Sequence, residues 1–243
     1  LHLCDRRQRQ MCIRDRFKGM GYKEVAHTDK VILMEMGNKN INKTLEKIIK
    51  KYNFVSDAEA NLQPKKIRGI PEKYVVFYGR IGEEKGIRIL MDIWNRITDI
   101  PIVVMGGGPL EEEFSLWAEK KENVYFLGYT QHEKCLNIVK CSEFVLFPSI
   151  WYEGCSMVEI EAESLGKAII ATDLGFSTEA IENGVNGYKI KLGDVEGFTE
   201  TIKKLWNDPV ACRNLGVNAR LSYESRYLPE DNFQQLIKIY ESL

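Results

Sequence analysis

The chain has 243 residues, 44% of them hydrophobic and 28% charged, with a net charge of −1, which is ordinary for a water-soluble globular protein. This charge gives no basic field for nucleic acid, and no apolar run reaches the roughly 18 residues that cross a bilayer. The six cysteines form no C-x-x-C pair, so we expect free thiols in a reducing cytoplasm and no metal site.

The first sixteen residues differ in composition from the rest of the chain. Leu1–Arg16 contains five arginines and no lysine, whereas the remaining residues contain seven arginines and 22 lysines. Two interpretations stay open: a basic arm for RNA or anionic lipid, or a segment foreign to the fold that resembles translated sequencing-adapter DNA. The shift in composition favours the second interpretation.

Residues 17–71 carry a weaker pattern than the rest. Val31–Met34 predicts a strand, Asn42–Lys51 a basic amphipathic stretch and Ala58–Ile70 a polar linker. We interpret this as too little for a complete second domain.

From residue 72 onward, short apolar runs alternate with stretches of helical periodicity. The predicted strands are Tyr74–Tyr78, Ile100–Met105, Val124–Leu127, Phe144–Phe147, Ala168–Ala171 and Gly187–Ile190. The predicted helices are Gly86–Arg96, Leu110–Lys120, Gln131–Lys140, Met157–Leu165, Ser177–Glu182 and Val195–Asn207, with a final amphipathic helix at Leu228–Leu243. Alternation of this kind predicts an α/β fold with a doubly wound, Rossmann-like parallel sheet that binds ligands at the carboxyl ends of its strands.

A loop that contains Gly79, Arg80, Lys85 and Gly86 follows the first predicted strand. Gly79 permits a sharp turn at the strand end, and two cations beside a helix N-terminus are suited to a diphosphate. The alternative is a solvated loop whose cations pair with the two glutamates between them.

A run of three glycines and a proline, Gly106–Pro109, follows the second predicted strand. It permits either close approach of a ligand to the backbone or a tight connection from strand to helix. The residues alone favour the tight connection.

A third motif follows the fourth predicted strand and places Glu153 eight residues before Glu161. The first turn of the helix between them offers unsatisfied N–H groups to a phosphate, and the two carboxylates can accept hydrogen bonds from sugar hydroxyls. The alternative is a capping box of Ser156 and Glu159 at the start of an ordinary surface helix.

The segment Tyr74–Tyr227 resembles the C-terminal domain of the family 4 retaining glycosyltransferases, which have the GT-B fold. The similarity is carried by YGRIGEEKG, VVMGGGP, VYFLGY, the FPS motif with Glu153 and Glu161–Ala162, and KAIIATDLGFSTEAIENGVNGY. The resemblance implies a hexosyltransferase that uses a UDP- or GDP-sugar without a metal, for polysaccharide biosynthesis. It also implies a glycan or lipid-linked acceptor, no nucleic acid, and a cytoplasmic enzyme whose N-terminal domain contacts the inner membrane surface peripherally.

The resemblance also implies a role for each matching residue. Arg80 and Lys85 would bind the donor diphosphate, and Glu153 would contact the transferred sugar. The other donor contacts would be Gly79 at the strand end, the amides of Gly154, Cys155, Ser156 and Met157, the ribose ligand Glu161, and Gly128 and Tyr129 beside the base.

Some positions depart from the family pattern. Cys155 stands where an aromatic residue is common, Ser156 where proline or glycine is common, and Ala168 where proline is common. Glu159 stands where an aliphatic residue is common, and we expect its charge to weaken anion binding unless it points to solvent.

The resemblance further implies that the chain is the C-terminal half of a GT-B fold. We expect a foreign segment at 1–16, a remnant of the acceptor domain with the linker at 17–71, the donor domain at 72–227 and a crossover helix at 228–243. Such a fragment would bind nucleotide weakly and transfer nothing alone. The alternatives are a free-standing binding module or subunit of a split transferase, and a Rossmann-type dehydrogenase or epimerase.

Overall fold

The computed structural model describes the backbone of residues 22–26 and 32–35, and residues 51–65 and 67–241 in full. The chain divides into two compact units, Leu1–Lys51 and Tyr52–Leu243. In the first unit, β1 (Tyr22–Ala26) and β2 (Ile32–Glu35) pair in antiparallel fashion. The predicted strand at Val31–Met34 is therefore confirmed with a shift of one residue. The segment Leu1–Arg16, and Asn42–Lys51 apart from its last residue, lie outside the described residues.

The second unit is built on one parallel sheet of six strands. These are β3 (Val75–Tyr78), β4 (Ile102–Met105), β5 (Val124–Phe126), β6 (Val145–Phe147), β7 (Ile169–Thr172) and β8 (Gly187–Ile190). Their order across the sheet is β5-β4-β3-β6-β7-β8, which is the doubly wound order. The predicted fold class is confirmed.

Helices connect the strands and cover both faces of this sheet. They are α1 (Asp57–Ala60), α2 (Ile87–Arg96), α3 (Glu111–Ala118), α4 (His132–Cys141), α5 (Met157–Ser164), α6 (Ser177–Ala180), α7 (Val195–Asn207), α8 (Pro209–Arg226) and α9 (Pro229–Glu241). The sequence pattern predicted every helix from α2 to α7, and α9, but not α1 or α8. In the part of the chain that the structure describes, no helix is both long and apolar enough to span a bilayer.

The core consists of two layers, one on each side of the sheet. Successive side chains of a strand point to opposite faces, so Val75 and Phe77 of β3 pack in one layer while Val76 and Tyr78 pack in the other. All four are buried, which explains why the strand reads as an unbroken apolar run.

The chain changes direction across the sheet at β3. It runs outward through β4 and β5, then returns to the other side of β3, where β6 pairs with it through Val76 and Val145. The loops that follow β3 and β6 therefore leave the carboxyl edge side by side. A crevice at such a switch point is the usual ligand site of an open α/β sheet.

Candidate functional site at the carboxyl edge of the sheet

The loops after β3 and β6 are joined by close backbone contacts. Gly86 has a φ of 72° and precedes α2, and a Cβ atom on it would overlap the carbonyl oxygen of Pro148. The Ser149 hydroxyl and the Ile150 amide both donate hydrogen bonds to the Glu84 carbonyl, at 3.0 and 3.1 Å. Only glycine at position 86 permits this approach, which fixes the position of the neighbouring Lys85.

Lys85 and Glu153 meet across this junction and form an ion pair. Their side chains are 23% and 16% exposed, so the pair is partly shielded from water. The Ser149 hydroxyl lies 3.5 Å from the same Glu153 oxygen. Two of the predicted site residues, 68 positions apart in the chain, are thus brought together at the switch point.

Arg80 lies on the same loop but takes a different partner. Its side chain is 53% exposed and lies 3.4 Å from Glu84, whereas Glu83 pairs with Arg88 at 2.6 Å. The alternative of a loop with internally paired charges therefore holds for Arg80 and not for Lys85. An exposed pair of this kind contributes little free energy, so Arg80 can exchange Glu84 for an anionic ligand at small cost.

The glycine run after β4 packs against the loop after β3. A Cβ atom on Gly106 would overlap the Gly79 carbonyl oxygen, and one on Gly108 would overlap that of Ile81. These contacts favour the tight connection that the residues predicted. Gly106 also donates a hydrogen bond to the carbonyl of Gly128 at 2.8 Å.

Tyr129 follows Gly128 at the end of the next strand, and its side chain is 82% exposed. Gly128 has a φ of 62°, which turns the chain there. Tyr129 is therefore an exposed aromatic residue on the same edge of the sheet as Lys85.

The helix after β6 presents its amino end to the same edge. Ser156 is the N-cap of α5, and its hydroxyl accepts a hydrogen bond from the Glu159 amide at 3.4 Å. The amides of Met157 and the next residue belong to the first helical turn, which has no intrahelical acceptors. Gly154 has open space where a Cβ atom would lie. The loop and first turn thus provide donors for a phosphate or sugar oxygen.

Asn53 contacts this loop from the segment before α1. Its side-chain amide donates to the Cys155 carbonyl at 3.1 Å, and its backbone amide lies 3.2 Å from the Cys155 sulfur. This contact was not predictable from the residues, because an asparagine in a polar segment has no pattern that identifies its partner.

Glu161 is buried within α5, with 5% of its surface exposed. His132, at the start of α4, contacts it through Nε2 at 3.8 Å and contacts Glu59 of α1 through the same atom at 2.9 Å. No motif in the sequence predicts a site role for His132. Its position after the β5 turn was the one available signal, since residues at helix starts after parallel strands line such sites.

Tyr78 lies beneath Glu161 and is part of its surroundings. Its hydroxyl donates to the Val158 carbonyl at 2.7 Å. Burial raises the pKa of Tyr78 well above its ordinary value, and the neighbouring Glu161 raises it further. Tyr78 therefore remains a neutral hydrogen-bond donor under the α5 helix.

Glu159 does not point to solvent. Its exposure is 0%, and neither carboxyl oxygen has a hydrogen-bond partner of normal geometry within the described residues. Burial raises the pKa of Glu159 to about 7. The capping box is therefore only half formed, because Ser156 caps the helix while the glutamate carboxyl makes no return bond.

The arrangement suits an anion that also carries hydroxyl groups. It combines a partly shielded lysine, an exposed arginine, the donors of a helix amino end and two carboxylates. Among residues 51–65 and 67–241, no group of three or more histidine, cysteine, aspartate or glutamate side chains is arranged to hold a metal ion.

Residues 60–222 match the family described as glycosyl transferases group 1. The chain belongs to this family. A relative within it, O-antigen chain mannosyltransferase C of Escherichia coli, is 26% identical over 178 residues, which cover 72% of this chain and 48% of that protein. The chain spans about half the length of the curated relatives it matches.

Solved structures of group 1 and other glycosyltransferases share the fold. A mutant of S. aureus TarM in complex with Fondaparinux, alpha-GlcNAc-glycerol and UDP superposes with a TM-score of 0.69 at 23% identity, covering 79% of this chain and 39% of that one. The C-terminal domain of the group 1 protein LpcC from Francisella tularensis superposes with a TM-score of 0.59 at 19% identity, covering 68% of this chain and 95% of that domain. The predicted GT-B type of domain is confirmed.

Proposed function

We propose that this chain binds a nucleoside-diphosphate sugar and forms the donor side of a retaining glycosyltransferase of the hexosyltransferase type. The observation that carries the proposal is the Lys85–Glu153 pair at the switch point of the sheet. A cation for the diphosphate and a carboxylate for the sugar hydroxyls lie side by side, as the diphosphate and the sugar do in a donor molecule.

The other predicted residues receive roles around this pair. Lys85 and Arg80 neutralise the charge that develops on the departing nucleoside diphosphate, in place of a metal. The amides of residues 154–157 bind phosphate or sugar oxygens, and Glu161 accepts hydrogen bonds from the ribose. Gly79 turns the strand end under the diphosphate, while Gly128 and Tyr129 flank the base.

The names of the similar proteins support this assignment. The Escherichia coli relative is a mannosyltransferase of O-antigen chains, and the TarM structure contains UDP. We propose a UDP- or GDP-sugar as the donor and a glycan or a lipid-linked sugar as the acceptor. We further propose a cytoplasmic protein that meets its acceptor at the inner membrane surface.

The test is a thermal-shift panel of UDP, GDP, ADP and their sugars with the whole chain. A ligand at 100 times its dissociation constant adds about 2.7 kcal/mol to the free energy of unfolding, which gives a clear rise in melting temperature. Glu161→Ala should reduce the shift from ribonucleotides, whereas Glu112→Ala, at an exposed position on α3, should not. The absence of any shift across the panel would refute the proposed function, and an unchanged shift in Glu161→Ala would refute the ribose contact.

A further inference from the structure

Glu159 is a buried carboxyl directly beneath the proposed donor site. It lies in the first turn of α5, three residues after the N-cap Ser156, and its side chain is inaccessible to water. Neither oxygen forms a hydrogen bond of normal geometry within the described residues. An ionised carboxylate without partners is costly to bury, so the fold favours the protonated acid at this position.

The groups that face this carboxyl come from five parts of the fold: β3, the loop after it, the loop after β6, and the helices α5 and α6. The hydroxyls of Ser156 and Ser177 lie close to it and favour its ionised form, as does Lys85, whereas the Glu153 carboxylate opposes ionisation. Two further titratable groups are near: Glu163 on the same helix and Tyr78 on β3. The Glu159 carboxyl is therefore close enough to respond to the charges of both Lys85 and Glu153.

The segment around Glu159 is also connected to that pair through the backbone. The Phe176 amide, one residue before Ser177, donates to the Glu153 carbonyl at 3.0 Å. Ser177 is buried at the start of α6, and Ser156 is buried at the start of α5. Both helix starts therefore pack around the Glu159 carboxyl and meet the loop that carries Glu153.

We propose that Glu159 is a positioning residue that works as a neutral acid: its proton keeps the start of α5 packed under the Lys85–Glu153 pair, and loss of that proton weakens binding of the donor diphosphate. This inference rests on the proposed function, because it assigns the diphosphate to that pair and to the α5 amino end. It gives Glu159, which no family pattern requires, control over the affinity of the site.

The direction of the pH dependence follows from linkage. Burial raises the pKa of Glu159 to about 7 in the free protein, and an anionic ligand nearby raises it further, since the two negative charges repel. Donor binding is therefore strongest where Glu159 is protonated, below pH 7. Above pH 7, binding must be accompanied by proton uptake, and the dissociation constant rises by up to about tenfold per pH unit.

The test uses UDP-glucose and GDP-mannose, whose bridged diphosphates do not change charge between pH 5.5 and 8.5. Isothermal titration calorimetry of the whole chain should give a constant dissociation constant up to pH 7 and a rise above it. Glu159→Gln keeps the size of the side chain and its neutral state, so it should bind at every pH as the unmodified chain binds at pH 6.

Two further variants separate a direct effect from general disturbance of the helix. Glu163→Gln is the matched control, because burial also raises the pKa of Glu163, to about 8, while this residue lies one helical turn further from the loop. In this variant the dissociation constant should still rise above pH 7. Ser177→Ala removes a group that favours ionised Glu159, so the rise should begin at higher pH.

The outcomes distinguish the inference from the function on which it rests. A rise above pH 7 that persists in Glu159→Gln, or that disappears in Glu163→Gln instead, overturns the role of Glu159 while leaving the donor site intact. If Ser177→Ala does not shift the pH at which the dissociation constant begins to rise, the role of Glu159 is also overturned. Failure of both nucleotide sugars to bind the unmodified chain at pH 6 overturns the proposed function and this inference together.

Discussion

Replacement of Lys85 and replacement of Glu153 should alter donor binding in different ways. Lys85→Met removes the cation assigned to the diphosphate and keeps the aliphatic part of the side chain. Glu153→Gln removes the charge that pairs with this lysine in the free protein and keeps the shape of the side chain. The pair is partly shielded, at 23% and 16% exposure, so its charges are not fully screened by water.

The magnitude follows from the contact that is lost. A hydrogen bond to a charged group contributes about 1.5–3 kcal/mol, so Lys85→Met should weaken binding of both UDP and UDP-glucose by about 10- to 150-fold. In Glu153→Gln, the lysine no longer has to leave a carboxylate, and UDP should bind as tightly as before or more tightly. UDP-glucose should lose its own contact with Glu153, and its advantage over UDP should disappear.

Calorimetric titration of both ligands against both variants measures this difference directly. The quantity of interest is the ratio of the two dissociation constants, which Glu153→Gln should change and Lys85→Met should leave nearly constant. Lys121→Met, near the end of α3 and stacked on Trp117, is the control for loss of a surface charge. If both variants weaken both ligands equally, the division of roles between cation and carboxylate is wrong. GDP and GDP-mannose take the place of the uridine pair if the thermal-shift panel prefers them.

Three further predictions concern single residues. Gly86→Ala should lower the free energy of unfolding in urea by about 2–4 kcal/mol, because it combines a left-handed φ with overlap of a neighbouring carbonyl. The control Gly184→Ala, with a φ of 76° and open space for a Cβ atom, should cost about 1 kcal/mol. Equal losses in the two variants would refute the overlap at Gly86. His132→Ala should weaken UDP binding but not binding of 2′,3′-dideoxyuridine diphosphate if the imidazole positions Glu161 at the ribose, and an equal loss for both nucleotides would contradict this. Burial raises the pKa of Glu163 to about 8, so its contribution to stability is complete below its ordinary pKa of 4.5 and is lost as pH rises through 8, at about 1.4 kcal/mol per pH unit. Urea denaturation between pH 5 and 8 should therefore show that the free energy of unfolding falls less steeply with pH in Glu163→Gln than in the unmodified chain. Equal slopes would exclude Glu163 as a source of this pH dependence.

The strands were predictable because their burial is two-sided. A run such as Val75–Tyr78 is apolar at every position, which leaves few structures other than a central parallel strand. The predicted helix Val195–Asn207 agrees with α7 at both ends, since an aspartate N-cap and a strongly amphipathic pattern fix its limits.

The α8 helix shows why periodicity fails in places. Its buried positions include Cys212, Leu215, Ala219 and Tyr223, at helical spacing, but the opposite side exposes Val210, Val217 and Leu221. Apolar residues on both sides remove the contrast that identifies an amphipathic helix. The start of α8 does carry a local signal, because its N-cap Asp208 is followed directly by a proline.

The candidate site was predictable as a set of loops but not as a set of contacts. Strand order places the loops after β3 and β6 side by side, so residues of both were expected there. Nothing in the sequence decides which cation of the first loop meets Glu153. The left-handed Gly86 and its contact with Pro148 decide it, because they hold Lys85 inward and leave Arg80 exposed.

Glu159 shows the limit of arguing from residue type alone. From residue type alone, Glu159 was expected either to repel an anionic ligand or to face water. Both expectations assume that its side chain is charged. The structure buries it between Ser156 and Ser177, where burial raises its pKa to about 7 and favours the neutral form below that pH. A neutral acid exerts little repulsion on a diphosphate. The residue that would oppose donor binding when ionised can therefore support the proposed donor-binding loop when protonated.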